Sequence, residues 1–172
     1  MKLIAKKELS VSEINMDNLD PAFRRASVNM VLTTLNCEEL LKNIPQNISK
    51  DRVSFVVATH FGEVSTTLEF LSTYHETHVP RPILFQNSLH NSTLGFASIH
   101  LGLTGPAMTI SCDRETESSA MQMCESLLTM TDYALLCLVD SIPQGLVNYY
   151  VETYPFLKPF VNKSTCYLFG KA

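Results

Sequence analysis

The chain has 172 residues, 45% hydrophobic and 17% charged, with a formal net charge of −4; this is the composition of a globular chain with a core, not of a disordered one. The acidic balance and the lack of any Lys/Arg run argue against a nucleic-acid groove, Lys6-Lys7 reading as a solvated strand end. No apolar stretch reaches the roughly 18–20 residues of a membrane span, and MKLIAKKELSVSEIN lacks the apolar centre of a secretory signal, so neither membrane insertion nor export is expected and the location is expected to be cytoplasmic. Cys37, Cys112, Cys124, Cys137 and Cys166 show no C-x-x-C spacing and are read as reduced thiols in a buried core, with no metal and no cofactor expected.

In chain order, Met1–Ala5 reads as a short strand. Asp20-Pro21 reads as a helix start, Asp as N-cap and Pro at the first helical position, with Phe23, Ala26, Met30, Val31 and Leu35 at helical spacing. Leu40 and Leu41 suggest a further turn-rich segment before Pro45. Arg52–Thr59 (RVSFVVAT) is nearly continuously apolar, as in a strand covered on both faces of a parallel sheet. Glu63–Tyr74 predicts a helix with Val64, Leu68 and Leu71 on one face, and Val79–Pro82 an extended connector. Asn91–Leu103 predicts a helix with little charge and many small residues, which needs cover on most sides. Gly102 and Gly105-Pro106 break it. Ala107–Cys112 reads as a strand, Thr116–Met130 as a helix with Ala120, Met121, Cys124, Leu127 and Leu128 inward, and Tyr133–Val139 as a second buried strand. Ser141–Pro159, with three prolines, reads as irregular, and Lys163–Phe169 as a last strand. Strands alternating with helices predict a single α/β domain over residues 1–172. A helix apolar all round, in a chain with little room for a second domain, predicts an obligate partner.

Chemistry-bearing residues are sparse. His75-Glu-Thr-His78 places two histidines three apart, short of a metal set, and reads as a solvated helix end. His60 ends a buried strand at a helix start, where capping or hydrogen bonding is favoured over acid–base work with Glu63. Ser118-Ser119 lacks the frame of a nucleophile elbow. The loop TYPFLKPF, Thr153–Phe160, fits equally a partner contact and a fold-back onto its own domain.

Phe85–Ile110, FQNSLHNSTLGFASIHLGLTGPAMTI, resembles the β-ketoacyl synthase family of the thiolase superfamily, through His90-Asn91-Ser92, Gly95, Gly102-Leu103-Thr104-Gly105-Pro106 and Met108–Ser111. Ala58–Leu71, ATHFGEVSTTLEFL, is similar to the Ser-Arg-His-Gly-Glu segment of a divergent synthase-like N-terminal branch. The resemblance covers roughly residues 20–145. It implies the N-terminal half of a thiolase-like fold, a mixed sheet of about five strands flanked by helices and completed by a partner subunit.

In those synthases the nucleophilic cysteine lies eight positions after the proline of the Gly-Pro turn, and here that position is Arg114, between Asp113 and Glu115. A guanidinium stays protonated and cannot attack a thioester. Cys112 lies two positions earlier, displaced by about 6–7 Å along a strand. None of the five histidines, His60, His75, His78, His90 and His100, falls in a C-terminal repeat that would supply the family's condensing pair.

The sequence therefore looks like a shortened chain length factor of a type II polyketide system, similar to those of aryl polyene pathways. The resemblance implies a catalytically inactive subunit that heterodimerises with an active β-ketoacyl synthase in polyketide or fatty-acid-like biosynthesis, and meets acyl carrier protein through that complex. It implies a dimer-interface strand at Ala107, Met108, Thr109, Ile110 and Ser111. It also implies that Leu84, Phe85, Ser88, His90, Asn91 and Ser92 line the partner's acyl tunnel. Arg114 is expected either in a buried ion pair with its acidic neighbours, the favoured reading, or holding a phosphopantetheine phosphate or a carboxylate. The competing readings are an independent thiolase-like enzyme with Cys112 as relocated nucleophile, and an acyl-binding structural homodimer.

Overall fold

A computed structural model describes residues 1–15 and 19–172. Five strands form one mixed sheet: β1 (Lys2–Ser10), β2 (Val53–Ala58), β3 (Ala107–Ile110), β4 (Tyr133–Asp140) and β5 (Lys163–Gly170), in the order β1-β5-β4-β2-β3. The β2 strand pairs parallel with β3 and β4, while β5 pairs antiparallel with β4 and β1. The helices are α1 (Val28–Leu41), α2 (Val64–Thr77), α3 (Pro82–Asn87), α4 (Ser92–Leu101), α5 (Thr116–Leu127) and α6 (Val147–Thr153).

The near-continuous apolar runs of β2 and β4 follow from their central places. Phe55 and Val57 with Leu135, Cys137 and Val139 face the layer of α1 and α4; Val56 and Ala58 with Ala134, Leu136 and Leu138 face α5. Alternation along each strand thus feeds two cores, one on either side of the sheet.

Several boundaries differ from the sequence reading. The β1 strand runs on to Ser10, because Lys6, Lys7 and Glu8 sit on a sheet edge where charge is tolerated; Lys6 Nζ and Lys163 Nζ lie 2.9 and 3.5 Å from the Glu8 carboxylate. Asp20 does cap a turn, its Oδ1 accepting from Ala22 N at 2.8 Å, but that turn is a single 3₁₀ unit, Pro21–Phe23. The long helix starts after Ser27, whose Oγ accepts from Met30 N at 3.2 Å, and it absorbs Leu40 and Leu41. The connector Val79–Pro82 is cut short as Pro82 opens α3. The span 141–159 contains α6, between Pro143 and Pro155. Cys112 is exposed, so four of the five cysteines are buried, not five.

The face of α2 carrying Leu68 and Leu71 is not covered by the described residues: they are 38% and 54% exposed. Nor is α4 enclosed. Thr93, Leu94 and Ala97 are buried, whereas Gly95 is exposed and Ile99 is 85% exposed.

Candidate functional site

The corner between β3 and α5 is built on a close backbone approach. A Cβ on Gly105 would sit 2.2 Å from the Val53 carbonyl oxygen, so only glycine lets the Gly-Pro turn bring β3 against β2. After Ile110 the chain turns through Cys112 and Asp113. Asp113 takes φ 50°, a left-handed conformation uncommon for a residue with a Cβ. Thr116 ties the corner, its Oγ1 accepting from Cys112 N at 2.9 Å and donating to Asp113 O at 2.7 Å.

Arg114 follows on the surface. It forms no ion pair with Asp113 or Glu115 among the described residues, so the expected buried ion pair is not what holds it. Its guanidinium lies 5.6 Å from the Phe156 ring centroid, a cation–π contact. Glu115 instead accepts from Ser118 Oγ at 2.7 Å. Phe156 also packs on His60, with centroids 5.7 Å apart, and Phe160 covers His60 at 5.1 Å. The TYPFLKPF loop therefore folds onto its own domain, with Leu157 fully buried and Tyr154 left 40% exposed.

Behind the corner lies a buried carboxylate that sequence reasoning did not single out. Asp140, at the end of β4, is 1% exposed. Its Oδ1 accepts from Thr59 Oγ1 at 2.7 Å, His60 N at 2.9 Å and Phe61 N at 3.0 Å. Its Oδ2 sits 2.6 Å from His60 Nδ1. The hydrogen-bonding role expected for His60 thus has its partner in Asp140, 80 residues away. Asp140 closes the apolar run of β4, and a lone acid at a strand end was the available signal.

A second buried acid, Glu63, sits at the N-cap of α2 and is 2% exposed. It accepts from Thr93 Oγ1 of α4, and from Thr66 Oγ1 at 3.3 Å. Burial pushes its carboxyl above the ordinary range, against hydrogen bonds from Thr93, Ser27 and Thr66 that pull it down. Glu63 therefore locks α2 to α4. Beside it Gly62, at φ 59°, lies under the His90 ring; a Cβ there would come within 2.9 Å of that ring.

The residues expected to line a tunnel fall on α3 and the start of α4. Leu84 lines a cleft of about 260 Å³ with Arg24, Arg25, Thr66, Glu69 and Ile83. Phe85 is 56% exposed, its ring 5.8 Å from Phe70. Ser88 Oγ donates to Phe85 O at 2.7 Å, and Ser92 Oγ donates to Gln86 O, so both hydroxyls serve the local backbone. His90 and Asn91 are exposed. Among the described residues none of these side chains makes a hydrogen bond, ion pair or ring contact with Arg114; Leu84 and Phe85 lie beside α2.

Residues 107–110 of the expected interface strand are β3, and Ser111 follows it. The strand is a sheet edge, hydrogen-bonded to β2 alone among the described residues. Thr109 Oγ1 is buried without a hydrogen-bond partner among the described residues. The α4 helix packs against β3, and apolar side chains stand exposed on α2, α3 and α4: Leu71, Phe85 and Ile99. His75 and His78 lie at the exposed end of α2, His78 forming its left-handed C-cap. Three buried cysteines, 37, 137 and 166, converge elsewhere in the core.

No protein family model matches the sequence, and no curated protein does. The fold is nonetheless a thiolase-like one, that of ketosynthases and chain length factors. The chain superposes on a ketosynthase in complex with its chain length factor from Xenorhabdus doucetiae with TM-score 0.76 and 15% identity, over 99% of this chain and 79% of that one. A β-ketoacyl synthase from Burkholderia phymatum matches with TM-score 0.70 and 12% identity, over 92% of this chain and 45% of that one. A type II polyketide acyl-carrier protein in complex with its ketosynthase bound to the hexaketide gives TM-score 0.74 and 15% identity, over 91% and 51%. The chain spans about half the length of the last two. No helix among the described residues is long and apolar enough to cross a membrane.

Proposed function

We propose that this chain is a non-catalytic, single-domain chain length factor that heterodimerises with an active β-ketoacyl synthase in the cytoplasm. In this reading it shapes the synthase's acyl tunnel in type II polyketide biosynthesis of the aryl polyene kind, and meets acyl carrier protein through the complex. The observation that carries the reading is the open edge of β3 together with exposed apolar side chains on α2, α3 and α4. Exposed Ile99 and Phe85 and a bare strand edge are unfavourable in a lone chain, and a partner strand with its own helices would cover them. Arg114, where the resemblance puts the nucleophile, supports an inactive role, since a guanidinium cannot attack a thioester. Arg114 would instead hold the aromatic loop in place through Phe156. Ala107, Met108, Thr109, Ile110 and Ser111 would pair across the dimer. Leu84, Phe85, Ser88, His90, Asn91 and Ser92 would face the partner's growing chain.

The test is co-expression with a β-ketoacyl synthase, followed by size exclusion and product profiling. A one-to-one complex is expected, with longer products from Phe85→Ala. A stable monomer or homodimer that ignores the synthase would overturn the reading. So would thioester turnover by the chain alone that Cys112→Ser abolishes.

A further inference from the structure

Cys37 on α1, Cys137 on β4 and Cys166 on β5 are each 0% exposed, and their sulfurs all lie within 4.8 Å of one another. Cys137 and Cys166 are direct cross-strand partners, and Cys37 comes down on them from the helix layer. The Cys37 and Cys166 sulfurs are 3.7 Å apart, too far for a disulfide. Three sulfurs about 2.3 Å from one atom stand about 4 Å apart when that atom lies in their plane and about 3.5 Å apart when it sits above it, as a three-coordinate ion with a lone pair does. The Cys37–Cys166 spacing of 3.7 Å falls between the two. Thr33 Oγ1, one helical turn before Cys37, lies 3.5 Å from Cys137 Sγ, and the Leu138 carbonyl oxygen lies 4.0 Å from the same sulfur.

Charge selects the occupant. The surroundings are Leu, Val and Phe side chains of the larger core. A divalent zinc ion with three thiolates leaves a net negative charge there and lacks its usual fourth ligand. Monovalent copper leaves two uncompensated charges. Trivalent arsenic with three thiolates is neutral, so its burial carries no ionic penalty. Burial holds the Cys37 and Cys166 thiols well above their ordinary range, so they meet the ligand protonated.

We propose that Cys37, Cys137 and Cys166 form a three-sulfur site for trivalent arsenic, bound from arsenous acid. Three As–O bonds break and three As–S bonds form. Each thiol proton leaves with a hydroxide as water, and nothing is oxidised or reduced. Binding bridges α1, β4 and β5, so it tightens the centre of the fold and requires that layer to open or to be caught while folding.

In the experiment, the full chain is reduced with a phosphine, unfolded in urea and refolded in one equivalent of arsenous acid. The mass should rise by one arsenic atom less three hydrogens. X-ray absorption should report three sulfurs and no oxygen around arsenic, and the thermal midpoint should increase. Cys137→Ala should lose the arsenic and the increase; Cys112→Ala and Cys124→Ala should keep both. An arsenic that retains oxygen ligands, or that survives in Cys137→Ala, overturns the proposal. The absorption measurement needs only the unmodified chain, so a variant that fails to fold does not shield the proposal. Neither outcome depends on a synthase partner, so the arsenic site and the chain length factor reading stand or fall separately.

Discussion

Asp140→Asn isolates what the buried carboxylate contributes. Asp140 accepts from four donors: Thr59 Oγ1, His60 N, His60 Nδ1 and Phe61 N. A hydrogen bond to a charged acceptor contributes about 1.5–3 kcal/mol, a neutral one about 0.5–1.5. The amide oxygen can keep the Thr59, His60 N and Phe61 bonds in neutral form. That costs roughly 1 kcal/mol each before allowing for non-additivity. The amide NH2 then faces His60 Nδ1, which must give up its proton to Nε2 and accept. The net expectation is a loss of about 2–4 kcal/mol, or roughly 4–16 °C in thermal midpoint for a chain of this size. The assay is a paired urea and thermal melt, with nitrogen NMR of the His60 ring to read the tautomer. A loss under about 1 kcal/mol, or a ring that keeps its proton on Nδ1, refutes the assignment of Asp140 as the anchor of this corner.

Glu63 gives a pH dependence of definite sign. Its folded pKa is raised by burial, so the folded state holds the proton more tightly than the unfolded chain. Its contribution is complete below the ordinary carboxyl range and fades as pH rises through the raised value. Melts of Glu63→Gln across that range should lose this downward slope, and a slope equal to wild type would reject it. Gly105→Ala places a Cβ 2.2 Å from the Val53 carbonyl and should cost roughly 1–3 kcal/mol, measured by urea melt. Ile99→Asp should leave the isolated chain within about 0.5 kcal/mol, because the side chain is 85% exposed, while abolishing co-elution with the synthase. Unchanged co-elution would remove α4 from the proposed interface.

The parts of the fold legible in the sequence are those where one local rule dominates. Arg52–Thr59 and Tyr133–Val139 read as buried strands, close to the observed β2 and β4, because a central strand needs apolar side chains on both faces. The first long helix was read too early because two valid cap signals, Asp20 and Ser27, lie seven residues apart, and sequence does not say which turn propagates. For the candidate site, the Gly-Pro turn marked the corner, yet Arg114 found its partner in Phe156 and not in its sequence neighbours. The His60–Asp140 pair and the three-cysteine cluster were not legible. The first joins residues 80 apart and the second brings Cys37 to Cys166, 129 apart, through sheet order and register, and no local periodicity encodes that. The enclosure expected of α4 was read from a real lack of charge, but this chain supplies only one side of the cover.

The two borders of the sheet are not equivalent. At β1 lysines and a glutamate stand guard, whereas β3 is short, uncharged and open on its outer side. A chain so made can be extended across one border only. If two such borders meet about a two-fold axis, each uses up the other's vacancy and the lysine-bearing ends point outward, so the assembly closes at two members and cannot propagate into a filament.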